Sequence, residues 1–212
     1  MEVCSIILSA GKGSRMFSDI PKPLHLISGK TMLERVIDAN KSANIKKCII
    51  VIPENCEAFK GICHDFETVV QKVPKGTGDA VKKASNLLKK FTGVILVCFG
   101  DTPFLTSETF KRVIKAFDNK TKLVITGFKK FEKNNYGKII FSKTNEPIEI
   151  IEQKDAEVRN IHSEFCNGGV MAIHSSIINQ LNKIQENLIS KEYYLTDLVN
   201  ILNKENKKIS FI

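Results

Sequence analysis

The chain has 212 residues, 42% of them hydrophobic and 26% charged, with a formal net charge of +9. That is enough chain for one sizeable core, and the balance excludes a disordered protein. The basic excess sits in lysine clusters such as Lys82-Lys83, Lys89-Lys90, Lys129-Lys130 with Lys133, and Lys204 with Lys207-Lys208. No recognisable nucleic-acid module lies beside them, so they read as solvated faces and no nucleic-acid partner is expected.

Short Ile/Val-rich runs alternate with amphipathic stretches. Strands are expected at Val3 to Ser9, Lys47 to Ile52, Thr68 to Val70, Val94 to Phe99 and Leu123 to Phe128. Between them, Met32, Val36 and Ile37 share one face of a helix running to about Asn44, and Val81, Ala84, Leu87 and Leu88 make a second stripe. Unbroken apolar strands suit a parallel sheet covered on both faces, so the first half predicts a doubly wound α/β fold with a mostly parallel sheet. The second half turns β-rich. Lys138 to Phe141 and Pro147 to Ile151 flank the turn-rich Ser142 to Glu146, and Phe165 to Ile173 is a strand interrupted by Gly168 and Gly169. Helices are expected near Ile177 to Asn187 and Thr196 to Glu205, and the whole of 1–212 reads as one domain with an elaborated edge.

The apolar start, Val3 to Leu8, is far too short to cross a bilayer and lacks the basic stretch of a signal peptide, so a cytoplasmic protein without membrane contact is expected. Cys4, Cys48 and Cys98 sit inside apolar runs and no C-x-x-C pair occurs, which fits reduced, buried thiols.

Chemistry concentrates in four places. The first is Leu8-Ser9-Ala10-Gly11-Lys12-Gly13-Ser14-Arg15-Met16, directly after the first strand. Small residues let the backbone turn its N–H groups toward an anion, and Lys12, Arg15 and Lys22 add cationic donors. A P-loop would need a glycine where Ile6 stands, and a dinucleotide fingerprint would need Gly or Ala in place of Met16. The second is Gly100-Asp101, a carboxylate leaving a buried strand, placed to hold Mg²⁺ or to cap a turn. The third is Gln71 followed by Pro74-Lys75-Gly76-Thr77-Gly78-Asp79-Ala80. Its glycines allow close approach of a flat ligand, Thr77 can cap the next helix, and the Gln71 amide can donate and accept, as reading a pyrimidine edge requires. The fourth comprises Tyr136-Gly137, then Ile151-Glu152-Gln153-Lys154-Asp155-Ala156, then Asn167-Gly168-Gly169, with the carboxylate, amide and open backbone that sugar hydroxyls and acetamido groups bond. Each group alone also reads as an ordinary turn or loop. His25, His64, His162 and His174 are scattered without metal-ligand spacing.

In this order the motifs LSAGKGSRM, PKPLH, Q-x-x-P-x-GTGDA, FGDTP, YGKI, IIEQKDA, NGG and EYYLTD resemble the uridyltransferase domain of bifunctional bacterial N-acetylglucosamine-1-phosphate uridyltransferases/glucosamine-1-phosphate acetyltransferases. The resemblance runs from about residue 4 to the C-terminus. It implies a Rossmann-like nucleotidyltransferase with a nucleotide-binding part to about residue 128 and a sugar-binding part from about 129. Leu8, Ser9, Ala10 and Gly11 would lie against the nucleotide, and Gln71, Gly76 and Thr77 would select uracil. Arg15 and Lys22 would contact the triphosphate or the incoming phosphate, and Asp101 would hold Mg²⁺ with Phe99 and Gly100 in the same wall. Gly137, Glu152 and Asn167 would bind the amino sugar.

The implied substrates are UTP and an amino-sugar 1-phosphate, and the product, UDP-N-acetylglucosamine, is a peptidoglycan precursor. A sugar phosphate is already ionised near neutral pH, so it can attack the α-phosphorus without a general base. What the protein must supply is in-line positioning and charge neutralisation. The sequence also departs from the family pattern. No hexapeptide β-helix precedes Ile212, so acetyl transfer is not implied. The family's metal-binding Asn falls beyond that residue, which leaves room for a separate chain to complete the site, or for a catalytically incomplete nucleotide- or sugar-binding relative. Asp79 stands where His is common and Gly168 where Ser or Thr is usual. A transferase for another sugar phosphate or another NTP would carry similar motifs.

Overall fold

The structure, a computed structural model, describes residues 1–11, 13, 16–54, 57–129 and 134–212. In chain order the elements are β1 (Val3–Leu8), β2 (Leu26–Ile27), β3 (Lys30–Thr31), α1 (Met32–Ser42), β4 (Lys47–Pro53), α2 (Lys60–Cys63), β5 (Glu67–Gln71), α3 (Thr77–Ser85) and β6 (Val94–Phe99). There follow α4 (Ser107–Lys115), β7 (Thr121–Lys129), β8 (Lys138–Phe141), β9 (Pro147–Ile151), α5 (Gln153–Val158), β10 (Phe165–His174), α6 (Asp197–Lys204) and β11 (Lys208–Phe211).

The main sheet runs β11–β7–β10–β6–β1–β4–β5, with β8 pairing β10 and β9. β1 lies between β4 and β6, parallel to both, with Leu8 opposite Val51 on one side and Phe99 on the other. β5 continues the parallel array and pairs Gln71 with Pro53. β1, β5 and β6 therefore release their carboxyl ends at one edge of the sheet. β10 runs antiparallel to β6 and β7, while β11 is parallel to β7. The expected mostly parallel, doubly wound α/β architecture is what forms.

Alternation along the central strands divides the core into two layers. Cys4, Ile6, Ile49, Val51, Ile95 and Val97 face Ala80, Val81 and Ala84 of α3 and Leu198, Val199 and Leu202 of α6. Ile7, Cys48, Ile50, Leu96 and Cys98 face Leu33, Val36 and Ile37 of α1 and Phe110 and Val113 of α4. Both faces being covered explains why these strands read as unbroken apolar runs. α1 starts where it does because Thr31 and Glu34 form a capping box, the Thr31 N–H donating to Glu34 Oε2 at 2.7 Å and the Glu34 N–H to Thr31 Oγ1 at 3.1 Å.

Burial pushes the Cys4 and Cys98 thiols up to about 12, so these cysteines are inert core residues, as the sequence suggests. Among the described residues no helix is long and apolar enough to cross a membrane.

Three local expectations change. The segment Ser175–Lys183 is a 3₁₀ helix instead of an α-helix; its Ser and Asn side chains compete for backbone groups, although Ile177 and Leu181 still reach the core. α3 ends at Ser85, which leaves Leu87 exposed and Leu88 buried. Gly168 and Gly169 do not end β10 but sit in a register shift between Asn167 and Met171.

Candidate active site

The meeting of strand carboxyl ends is where open α/β sheets bind ligands. After Leu8 the chain turns through buried Ser9 and Ala10 to exposed Gly11. The Ser9 N–H donates to the Val51 carbonyl at 2.8 Å and the Gly100 N–H to the Leu8 carbonyl at 2.9 Å, so the loops after β1 and β6 leave the sheet side by side. A Cβ at Gly100 would lie 2.2 Å from Ser9 Oγ. That hydroxyl is buried with no hydrogen-bond partner among the described residues.

Lys22 and Asp101, predicted separately, come together: Nζ lies 2.7 Å from Oδ2, with side chains 39% and 29% exposed. Gly13, at φ +58, passes so close that a Cβ there would be 2.8 Å from Lys22 Cβ, which seats Gly13 itself against the lysine. Thr102 Oγ1 donates to the Phe99 carbonyl at 2.6 Å and fixes the turn that carries Asp101. Arg15 and Lys12 lie outside the described residues, as do Lys130 and Lys133. Among the described residues no three His, Cys, Asp or Glu groups gather to hold a metal. One hard carboxylate oxygen already facing a cation nevertheless fits a divalent ion that takes its other ligands from water and phosphate oxygens.

Gln71 ends β5 with its side chain buried. The loop after it is clamped to the segment before α6. The Tyr193 N–H donates to the Lys75 carbonyl at 2.7 Å, and the Gly78 N–H returns a bond to the Tyr193 carbonyl at 2.8 Å. Thr77, expected to cap α3, does not: Gly76 is the N-cap residue, and the Thr77 hydroxyl accepts from the Leu195 N–H at 2.9 Å.

The same segment reaches the residues expected on the sugar side. Thr196 Oγ1 donates to Glu152 Oε1 at 2.9 Å, and a Cβ on Gly137 would lie 3.4 Å from Glu152 Oε2. Buried Lys138 holds the turn before β8 by donating to the Tyr136 carbonyl at 2.7 Å and to Asn134 Oδ1 at 3.1 Å. The Asn167 N–H donates to the Gly137 carbonyl at 2.9 Å, and Asn167 Oδ1 accepts from the Gly169 N–H at 3.1 Å. Gly169, at φ +79, presses on Phe99, where a Cβ would sit 3.4 Å from the ring. At Gly168 the Thr126 hydroxyl fills the space a side chain would need, 2.6 Å from a Cβ, and is itself fixed by the Val170 N–H and carbonyl.

A continuous path of contacts thus joins Gln71's loop, residues 193–196, Glu152, Gly137, Asn167, Phe99, Asp101 and Lys22. Sequence reasoning gave no role to residues 193–196; their signal was the EYYLTD motif, whose polar groups precede an amphipathic helix.

Carboxylates crowd this side. Burial pushes the Glu152 carboxyl up, against the bond from Thr196. Asp197 is pushed up to about 6, first by burial and then by the charges of Glu152, Asp155 and Glu149. The folded chain therefore holds a proton that the unfolded chain, with an ordinary value of 3.8, releases. Stability from this group is present below about pH 4 and lost as pH rises toward 6. Asp197→Asn, which cannot ionise, is expected to melt a few degrees above the parent at pH 7, the gap shrinking below pH 4. Thermal melts across that range check this, and a gap independent of pH contradicts it.

The profile of the MobA-like NTP transferase domain matches residues 5–184. Relatives named bifunctional protein GlmU are 35% identical over 218 residues in Ruegeria sp. (strain TM1040), 37% over 219 in Buchnera aphidicola subsp. Schizaphis graminum and 38% over 211 in Streptococcus pyogenes serotype M3. These matches cover 100%, 100% and 97% of this chain but 48%, 46% and 45% of the relatives, so the chain spans about half their length. The crystal structure of UDP-glucose pyrophosphorylase complexed with UDP-glucose superposes with a TM-score of 0.80 at 17% identity, covering 100% of this chain and 90% of that one. At that identity the likeness speaks for the fold, a Rossmann-like nucleotidyltransferase sheet.

Proposed function

This chain belongs to the MobA-like NTP transferase family, and from that membership and its likeness to the bifunctional GlmU relatives we propose that it joins the uridylyl group of UTP to N-acetylglucosamine 1-phosphate, giving UDP-N-acetylglucosamine and pyrophosphate. The observation that carries the reading is the convergence at one sheet edge of the Leu8–Gly11 turn, Gln71 and the Lys22–Asp101 pair, linked through Phe99 and Gly169 to Asn167, Gly137 and Glu152.

In this reading residues 1–128 hold the nucleotide and 129–212 the sugar, with 193–196 bridging them. Gln71, Gly76 and Thr77 meet the uracil edge, and the turn from Leu8 to Gly11 lies against the nucleoside. Glu152, Asn167 and the Gly137 backbone orient the amino sugar so that its phosphate oxygen faces the α-phosphorus. The new P–O bond forms as the bond to the β-phosphate breaks, in line, and pyrophosphate leaves. Lys22 and Arg15 neutralise phosphate charge as it shifts toward the leaving group. Enzymes of this family generally work with a divalent metal; Mg²⁺ held by Asp101 would supply charge neutralisation at the phosphates. In this reading the reaction is cytoplasmic.

A substrate panel tests the assignment. Pyrophosphate release is expected to be fastest with UTP and N-acetylglucosamine 1-phosphate, and at least about tenfold slower when glucose 1-phosphate replaces the amino sugar. Equal or faster turnover with glucose 1-phosphate contradicts the sugar assignment.

A further inference from the structure

The nitrogen of the Gln71 carboxamide sits between two groups that only accept. Nε2 lies 2.7 Å from Asp79 Oδ2 and 3.2 Å from the Gly76 carbonyl oxygen. A carboxamide nitrogen carries two hydrogens, and both are consumed there. Turned over, Oε1 would face a carboxylate and a carbonyl, acceptor against acceptor. The hydrogen-bond network therefore determines the orientation of the amide.

The two acceptors are themselves held. Asp79 is in the first turn of α3, where the helix end favours negative charge, and Lys83 one turn on lies 3.2 Å from its other oxygen. Gly76 has no freedom to retreat: its Cβ position is 2.5 Å from the Tyr193 carbonyl oxygen.

We propose that Asp79 is a specificity-determining positioning residue: by taking the Gln71 amide nitrogen it leaves Oε1, an acceptor, as the only group of that side chain able to meet a base. A pyrimidine with an N3–H, as in uracil, can donate to it. Cytosine presents a lone pair at N3 and is repelled there, its one donor on that edge, the N4 amino group, lying one ring position away. A freely turning glutamine would satisfy either base, so discrimination is set one residue behind the reader. This rests on the uracil-nucleotide reading of the site above and deepens it.

The test compares UTP with CTP in wild type, Asp79→Asn and Asp79→Ala, by kcat/KM and by equilibrium binding, which needs no turnover. The Asp79 side chain is only 15% exposed, so Asp79→Asn, which keeps its volume, separates the loss of charge from the space that Asp79→Ala opens. Wild type is expected to prefer UTP, and both variants to lose about 10- to 100-fold of the UTP:CTP ratio, the scale of one buried polar group left unpaired. Asp79→Ala removes the acceptor, and Asp79→Asn replaces it with a group that can also donate to Oε1, so neither holds the amide one way round as the carboxylate does. A merely structural defect weakens both nucleotides alike. An unchanged ratio in the variants overturns the role of Asp79 while leaving the UTP reading intact. A wild-type chain that binds CTP as well as UTP overturns both.

Discussion

Asp101→Ala is expected to lower pyrophosphate release by about a thousandfold or more while the melting temperature moves by only a few degrees. Asp101 stands in the turn directly after β6, and its partner Lys22 is 2.7 Å away. Both side chains are partly exposed, 29% and 39%, and an ion pair in that setting is worth about 0–1 kcal/mol, so the fold does not depend on it. The proposed reaction does: Asp101 is the residue assigned to the metal, so its loss removes that charge neutralisation at the triphosphate. Asp101→Asn, which keeps the shape and loses the charge, should be nearly as slow. A pyrophosphate-release assay run beside thermal melts separates the two effects, and either variant turning over at the parental rate would end the metal assignment.

Gly76→Ala is expected to cost about 2–4 kcal/mol of stability and to weaken uridine nucleotide binding by at least about tenfold. Gly76 sits at φ +99, a conformation that a side chain strains, and its Cβ position is 2.5 Å from the Tyr193 carbonyl and 2.8 Å from the Tyr193 nitrogen. Those obstacles are backbone and cannot rotate away. The methyl would have to push the Gln71–Thr77 loop off residues 193–195 and break the bonds that tie them together. Gly11→Ala is the matching control. It has open space around its Cβ position and no positive φ, and should shift stability by less than about 0.5 kcal/mol. Denaturant unfolding of the pair and nucleotide titration of Gly76→Ala measure the two effects, and an equal change of stability in the two variants contradicts the clamp.

The central strands were legible because Val3–Leu8 and Val94–Phe99 are buried on both faces and therefore apolar throughout. Strand ends that carry polar or glycine residues, such as Gln71 and Gly100-Asp101, stood out as candidate positions for the same reason: they interrupt a buried pattern. α4 and β11 went unread. α4 offers its core face through little more than Phe110 and Val113, and β11 is a short half-buried edge strand whose Lys208 and Ser210 mask its pairing with β7.

Contacts between distant segments left no local trace at all. Thr77 bonding Leu195 and Thr196 bonding Glu152 span 118 and 44 positions, so the capping role expected of Thr77 could be corrected only in three dimensions. Asp79 illustrates the same limit. By sequence it was a departure from a family pattern; in the fold it holds the Gln71 amide.

The most direct test of the uridylyltransferase account is ³¹P NMR of the purified chain with UTP, N-acetylglucosamine 1-phosphate and Mg²⁺. The account predicts paired resonances of a UDP-sugar growing in step with pyrophosphate, at the expense of both substrates. UTP and the sugar phosphate persisting unchanged, while each is shown to bind, would contradict it and mark the chain as a nucleotide- and sugar-binding relative without turnover.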